Sequence, residues 1–210
     1  MYKLILLVAI SAVAFAQKKQ TLPLTDLYKR GSLQVVNREL KIIEDFIQLS
    51  ENKEEGLVWL PVSDFKNGEI EIEMRGKDVI QRSFIGIAFH AQNDSTYDAV
   101  YCRPFNFFAK DSVRRIHAIQ YISHPKYTWK KLREERNAEF EKEIRNPPNP
   151  NGWFMMRLIV DDKTIKAYIN QSKEPSLVVQ KLSNATNGKL GIFVGDGAGG
   201  DFRSIRYSTK

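Results

Sequence analysis

The chain has 210 residues, one cysteine and a net charge of +7 from 32 basic and 25 acidic side chains. One cysteine excludes both an intrachain disulfide and a cysteine-rich zinc site, and Cys102 is expected to be a buried apolar side chain. Basic and acidic residues are mixed in the run from Lys130 to Arg145, a pattern typical of a solvated helical face. Nucleic acid is therefore not expected as a partner.

The first sixteen residues have the pattern of a secretory leader. Lys3 precedes an apolar run from Leu4 to Phe15, and Ala14-Phe15-Ala16 provides a small-x-small cleavage sequence. The run is shorter than the roughly 20 residues that span a bilayer. We expect a signal peptide at 1–16, export to the periplasm or outside the cell, and a mature chain with no membrane span. An uncleaved N-terminal anchor is the alternative.

The mature residues 17–210 fit one domain of about 200 residues. A polar stretch, 17–21, is expected to be mobile. Beyond it, Glu69–Met74 alternates between glutamate and apolar residues, as in a half-buried strand, whereas Ser83–Phe89 is almost wholly apolar, as in a strand buried on both faces. The other predicted strands are 33–37, 40–44, 46–50, 56–60, 97–108, 116–123, 155–161, 164–170, 177–180, 189–195 and 202–207.

Only residues 130–144 have helical character, and the prolines at 147–150 end that segment. Residues 125–152 are therefore predicted to be a partly helical insertion. Many short strands at fairly even spacing predict an all-β sandwich or barrel. The predicted core residues are Ile70, Ile72, Phe84, Ile87, Leu158, Val160 and Ile192.

Four stretches carry a resemblance to a known superfamily: DFKNGEIEIEMRG (64–76), SFIGIAFHAQNDSTYDAVYCRPFNF (83–107), AIQYISHPKYTWKKLRE (118–134) and GKLGIFVGDGAGGDFRSI (188–205). They resemble exported bacterial domains of the concanavalin A-like lectin/glucanase superfamily, in particular laminin G-like and 3-keto-disaccharide hydrolase-type domains. The resemblance implies a jelly roll of two antiparallel sheets that binds glycans, where it binds them, across one sheet or at its loop rim.

The glutamates of the alternating strand are the candidate catalytic residues. The resemblance implies a Glu-x-Asp-x-Glu strand whose outer glutamates act as nucleophile and acid/base, and Glu69 and Glu73 occupy those positions. Glu71 stands where the family has aspartate. The strand directly follows a turn, which favours an edge position, and three like charges on one strand face equally indicate the solvated side of a sandwich.

A second cluster has the residue types of a glycan site. Tyr101 and Arg103 share a strand face, and Gln120 and His124 share a face of the following strand. Planar polar groups suit sugar hydroxyls, and Trp129 at the start of the insertion could supply an apolar platform. The predicted ligand-binding residues are Tyr101, Arg103, Asn106, Gln120, His124 and Trp129, with Tyr127 beside them. Alternatively, Arg103 and Gln120 satisfy buried backbone groups.

Other candidate sites are weaker. Strand alternation places His117 on the opposite face from His124, which argues against a three-histidine metal site. The GDGAGG sequence at 195–200 is followed by a predicted strand, so it is interpreted as a tight turn and not as a dinucleotide loop. Asp196 and Asp201 beside it are possible calcium ligands, and no other cofactor is expected.

Three classes of function remain open from the sequence. The leading hypothesis is an exported, non-catalytic carbohydrate-recognition domain. The alternative is a glycoside hydrolase that acts on a poly- or disaccharide through the glutamate strand. A protein-interaction sandwich without a glycan ligand is the third.

Overall fold

The computed structural model describes residues 19–210, and the predicted leader at 1–16 lies outside them. No helix among the described residues is long and apolar enough to cross a membrane. The helices are α1 Leu24–Lys29, α2 Ser112–Arg115 and α3 Trp129–Glu135, with a 3₁₀ turn at Pro104–Asn106. The strands are β1 Gln20–Leu22, β2 Gln34–Val36, β3 Leu40–Ile43, β4 Phe46–Leu49, β5 Gly56–Trp59, β6 Gly68–Arg75, β7 Ile85–Asn93, β8 Thr96–Cys102, β9 Ile119–Ser123, β10 Glu141–Lys142, β11 Trp153–Val160, β12 Thr164–Ile169, β13 Leu177–Gln180, β14 Lys189–Val194 and β15 Gly200–Thr209.

These strands form two antiparallel sheets, as predicted. The eight-stranded sheet has the order β13-β12-β11-β6-β15-β4-β3, with β1 paired to β15 beyond the end of β4. The seven-stranded sheet has the order β10-β9-β8-β7-β14-β5-β2. Neighbours in each sheet are often distant in sequence, which is the connectivity of a jelly roll.

The core lies between the two sheets. Alternation along β6 turns Ile70, Ile72 and Met74 inward, and all three are fully buried. Ile85 and Ile87 of β7 meet them from the seven-stranded sheet within the same cluster. Six of the seven predicted core residues have no exposed surface, whereas Phe84 is half-buried because it precedes β7 at the sheet end. Cys102 is fully buried, as expected.

Several local predictions were wrong. Part of the stretch expected to be mobile forms β1, because Gln20–Leu22 finds an unpaired length of β15. The strand predicted over 97–108 ends at Cys102, where Pro104 begins a 3₁₀ turn. Strand β6 lies at the centre of its sheet between β11 and β15, and not at an edge.

The observed helix, α3, covers only the first half of the segment 130–144 for which the sequence predicts helical character. The Thr128 side chain caps α3 by accepting a hydrogen bond from the Lys131 backbone at 3.3 Å, and the helix ends at Glu135. Past that point Phe140 is buried and β10 pairs with β9. Burial of Phe140 thus outweighs the helical propensity of the charged residues around it.

Candidate functional site

The outer face of the seven-stranded sheet has a floor of small residues. Pairing of β14, β7 and β8 places Gly191, Ala88 and Ala99 side by side, with Gly86 one row away. A Cβ atom at Gly191 would lie 2.6 Å from the Trp59 ring. The absence of side chains here therefore lets aromatic rings lie directly on the sheet.

Four aromatic side chains, Trp59, Tyr97, Phe193 and Tyr101, form a continuous aromatic row on this floor. Successive ring centroids are 6.2 Å apart from Trp59 to Tyr97, 6.2 Å from Tyr97 to Phe193 and 5.1 Å from Phe193 to Tyr101. Spacings of this size are those of attractive aromatic pairs. Each ring is only 2–3 % exposed. The face thus resembles a second, smaller core with polar groups at both ends.

At one end, Arg103 is the centre of a buried polar network. Its guanidinium donates to the Tyr101 hydroxyl at 2.8 Å, to the Gln120 side-chain oxygen and to the His117 carbonyl at 2.9 Å. Tyr101 also donates to Gln120 at 3.0 Å. Burial raises the pKa of Tyr101 to about 12 and lowers the pKa of Arg103.

Glu141 provides the negative charge of this network. Its carboxylate accepts from Arg133 at 2.9 and 3.2 Å, lies 3.7 Å from Arg103 and is 2.7 Å from Nδ1 of His117. Burial outweighs the carboxylate and lowers the pKa of His117. Asn106 completes the network, since its amide donates to the His117 carbonyl at 3.4 Å. The network ties the turn after β8 to β9, β10 and α3.

At the other end, polar side chains reach solvent. His124 stacks on Tyr97 with ring centroids 5.1 Å apart, and its Nε2 lies 3.3 Å from a Glu55 carboxylate oxygen. The other Glu55 oxygen accepts from the Tyr97 hydroxyl at 3.1 Å. The Lys189 ammonium lies 5.8 Å from the centre of a Trp59 ring, and the indole N–H of Trp59 donates to Asp94 at 2.7 Å.

Trp129 begins α3 and is 44 % exposed. The Arg133 guanidinium lies 5.2 Å from its ring centre and connects it to Glu141 of the polar network. Tyr127, two residues earlier, is half-buried and pairs with Ser123 at the end of β9. Trp129 is therefore an available aromatic surface beside the outer face.

The six predicted ligand residues lie along one side of the molecule in two groups. Tyr101, Arg103, Asn106 and Gln120 are in direct contact but at most 4 % exposed. Arg103 donates to a buried backbone carbonyl, as in the structural alternative, whereas the Gln120 side chain accepts hydrogen bonds from other side chains. His124 and Trp129 retain exposed surface. Five residues of this face were not indicated by the sequence pattern: Glu55, Trp59, Tyr97, Phe193 and Glu141. A signal was present: small and large residues alternate from Ile85 to Phe89, which marks a face where outside rings can pack.

The predicted separation of His117 from His124 was wrong. Strand β9 begins only at Ile119, so alternation does not extend to His117, and both imidazoles lie above the same sheet face. They nevertheless contact different carboxylates, Glu141 and Glu55. No cluster of three metal-binding side chains occurs within residues 19–210.

The glutamate row, Glu69, Glu71 and Glu73, lies on the outer face of the other sheet. Lys19 contacts both Glu69 and Glu71, and Arg206 lies 3.0 Å from Glu71. Arg157 lies 3.9 Å from Glu69 and Arg203 lies 3.7 Å from Glu73, so each carboxylate of the row has a basic partner.

The two calcium candidates already have protein partners. Asp196 accepts from the Glu54 backbone at 2.6 Å, whereas Asp201 accepts from Arg75 at 2.8 Å and from Gln48 at 3.0 Å. The glycine-rich sequence between them is a turn that leads into β15.

Comparison with solved structures identifies the architecture. A Bacillus subtilis protein of unknown function with a galectin-like fold has a TM-score of 0.64 at 11% identity, covering 90% of this chain and 94% of its own. The carbohydrate-binding module CBM66 from Bacillus subtilis has a TM-score of 0.57 at 12% identity, covering 85% and 92%. The exoplasmic/lumenal domain of VIP36 in a Ca²⁺/Man3GlcNAc-bound form has a TM-score of 0.58 at 11% identity, covering 87% and 86%.

The chain has a lectin-type jelly-roll fold. At these identities the likeness establishes the fold alone. No protein-family model matches the sequence, and no curated protein is significantly similar to it.

Proposed function

We propose that this chain is a non-catalytic carbohydrate-binding domain, exported after cleavage of residues 1–16. The observation that carries the proposal lies on the outer face of the seven-stranded sheet, where the accessible side chains of His124, Glu55 and Trp129 stand beside a buried aromatic row. Aromatic area with a few oriented donors and acceptors is the chemistry that recognises sugars. The solved neighbours support it, since they include a carbohydrate-binding module and lectin domains.

Exposure divides the proposed roles. His124, Glu55 and Trp129 have accessible surface and would contact the sugar directly. Arg103, Gln120 and Tyr101 are buried and would position the surrounding groups. The side-chain nitrogen of Gln120 is buried and has no hydrogen-bond partner within the described part of the chain.

The resemblance of the sequence to laminin G-like and 3-keto-disaccharide hydrolase-type domains remains a prediction. Catalysis by the glutamate row is the less favoured function. The row lies on the opposite face of the sandwich from the proposed glycan site, and its carboxylates are paired with basic side chains there. Calcium binding by Asp196 and Asp201 also stays a proposal. It is not favoured, because both carboxylates already accept hydrogen bonds from protein groups.

A glycan array followed by calorimetry tests the proposal. Residues 17–210 should bind at least one glycan, and Trp129→Ala should weaken binding by about 1–3 kcal/mol, through loss of a largely buried apolar contact. Trp153→Ala is a matched control, because Trp153 also stacks on arginine but lies on the outer face of the eight-stranded sheet.

Absence of binding to any glycan at millimolar concentration would refute the proposal. If both tryptophan variants lost glycan affinity equally, assignment of the site to the outer face of the seven-stranded sheet would be wrong. If Glu71→Gln abolished release of reducing ends from a bound glycan, the enzyme hypothesis would replace this one.

A further inference from the structure

Two loops at one end of the sandwich, residues 76–84 and 103–118, carry a feature that glycan binding does not explain. The loops pack against each other: the ring of Phe84 lies 5.3 Å from that of Phe105, edge to face. A Cβ atom at Gly76 would lie 2.7 Å from Pro104. They are therefore neighbours at this end of the sandwich and are called here the paired loops.

Exposed apolar side chains concentrate on the paired loops. Val79 is 48 % exposed, Ile80 61 %, Phe108 62 % and Val113 59 %. They are half of the large apolar side chains that are exposed among residues 19–210. Exposed apolar residues normally occur singly, and a group of them marks an interaction surface.

Basic side chains surround this apolar group. Five basic residues of the paired loops, compared with two acidic ones (Asp78 and Asp111), lie near it in sequence: Lys77, Arg82, Lys110, Arg114 and Arg115. The Asp111 carboxylate caps α2 by accepting from the Val113 backbone. Glu51 neutralises Lys77 and Arg82, and Glu143 lies 3.6 Å from Arg115. Lys110 and Arg114 have no acidic partner within the described residues. Lys110 is exposed, whereas Arg114 is half-buried and donates to Asn106 and to the Phe105 carbonyl, so the free positive charge beside Phe108 is that of Lys110.

We propose that the paired loops dock on a bilayer surface that carries anionic headgroups. Ile80, Phe108 and Val113 enter the interfacial region, while Lys110 and Arg82, which shares Glu51 with Lys77, contact lipid phosphates. This combination binds membranes peripherally. Four side chains on two loops offer far less area than the roughly 800 Å² per partner of a stable protein interface, which favours a lipid surface over a protein.

The position of the paired loops also links them to the candidate site. Phe84 contacts Tyr101 of the aromatic row at 6.2 Å between ring centroids, and Phe105 lies directly beyond it. A domain docked through these loops would hold the outer face of the seven-stranded sheet near the membrane. The docking proposal does not depend on glycan binding and is tested without a glycan.

Co-sedimentation with large unilamellar vesicles tests the proposal. Residues 17–210 should sediment with vesicles of phosphatidylcholine and phosphatidylglycerol at 70:30, and much less with phosphatidylcholine alone. Because screening by salt weakens the electrostatic part, 0.5 M NaCl should reduce binding. Phe108→Ser and Ile80→Ser should each lower the partition coefficient on the order of tenfold, as expected for removal of a large apolar group from the interface.

Val178→Ser is the matched control, since Val178 is 50 % exposed on β13, outside the paired loops. It should leave partitioning unchanged, and circular dichroism should show that all three variants are folded. No sedimentation of the wild-type protein with anionic vesicles would overturn the proposal, as would equal losses in Phe108→Ser and Val178→Ser. A concentration-dependent dimer abolished by Phe108→Ser, without vesicle binding, would assign the loops to self-association instead.

Discussion

The two outer faces of the sandwich use the same residue types in opposite ways. On the eight-stranded sheet, Glu69 and Glu73 keep 25 % and 31 % of their side-chain surface exposed, and Arg206 keeps 41 %. On the seven-stranded sheet, Glu141 and Arg103 keep 2 % and 5 %. Water screens the first set of charges, whereas the second set depends on protein partners.

Arginine–aromatic contacts show the same contrast. Arg75 and Arg203 lie on either side of the half-buried Trp153, at 4.8 and 4.3 Å from its ring centre. The Arg103 guanidinium lies 4.9 Å from the ring centre of the buried Tyr101 and also donates a hydrogen bond to the Tyr101 hydroxyl. The first arrangement covers a solvent face, whereas the second fixes the position of strand ends around a candidate site.

The largest expected effect comes from removing the buried cation. Arg103→Ala should lower the free energy of unfolding by about 3–5 kcal/mol, because it leaves Glu141 with one fewer cation and removes the donor to Gln120. Arg206→Ala should cost about 0–1 kcal/mol, because Arg206 is 41 % exposed and Lys19 still pairs with the buried Glu71. Urea denaturation of both variants measures the difference, and similar losses would show that the two faces are energetically alike.

A smaller effect is expected from two matched hydroxyl deletions. Tyr101→Phe removes a hydroxyl that accepts from Arg103 and donates to Gln120, which should cost about 1–3 kcal/mol. Tyr168→Phe, on the other face, keeps the ring against which Arg157 packs at 4.0 Å and should cost less than about 0.5 kcal/mol. Chemical denaturation compares them, and a larger loss in Tyr168→Phe would contradict the contrast.

The sequence predicted the fold better than the site because periodicity reports burial directly. Alternating glutamates placed Glu69, Glu71 and Glu73 on an outer face, and the apolar run at 83–89 correctly indicated a strand buried on both sides. Periodicity does not reveal what covers the second side. Trp59 and Phe193 reach that face from strands far apart in sequence, through register that only tertiary pairing sets.

Glu141 shows a second limit. In sequence it belongs to a charged segment with helical character, and its role depends on burial of Phe140 and on the pairing of β10 with β9. Helix propensity within the segment cannot predict this outcome, because the competing strand pairing is made with residues of β9, about 20 positions earlier. The network around Arg103 was for the same reason only partly predictable: Gln120 was placed in the same candidate site, but Glu141 and its second cation, Arg133, were not.

The smallest expected effect is a difference between the two faces in how the free energy of unfolding depends on pH. His117 faces Glu141 of β10, Arg133 of α3 and Arg103 after β8, and burial together with the two cations lowers its pKa against the pull of the carboxylate. In the unfolded chain its pKa is about 6.5. As pH falls through that value the unfolded state binds the proton first, so the free energy of unfolding falls and levels off once the folded imidazole also protonates.

His117→Gln should therefore make stability less dependent on pH between about 7.5 and 5.5, whereas Glu71→Gln on the opposite face should leave that dependence unchanged. Urea denaturation at several pH values measures the slopes, and NMR titration of His117 gives its pKa in the folded state. A folded-state pKa above 6.5 would reverse the sign of the linkage, because protonation would then stabilise the fold. That result would mean that Glu141 outweighs burial, and the polar network would be an ion cluster with its positive charge shared by His117, Arg103 and Arg133.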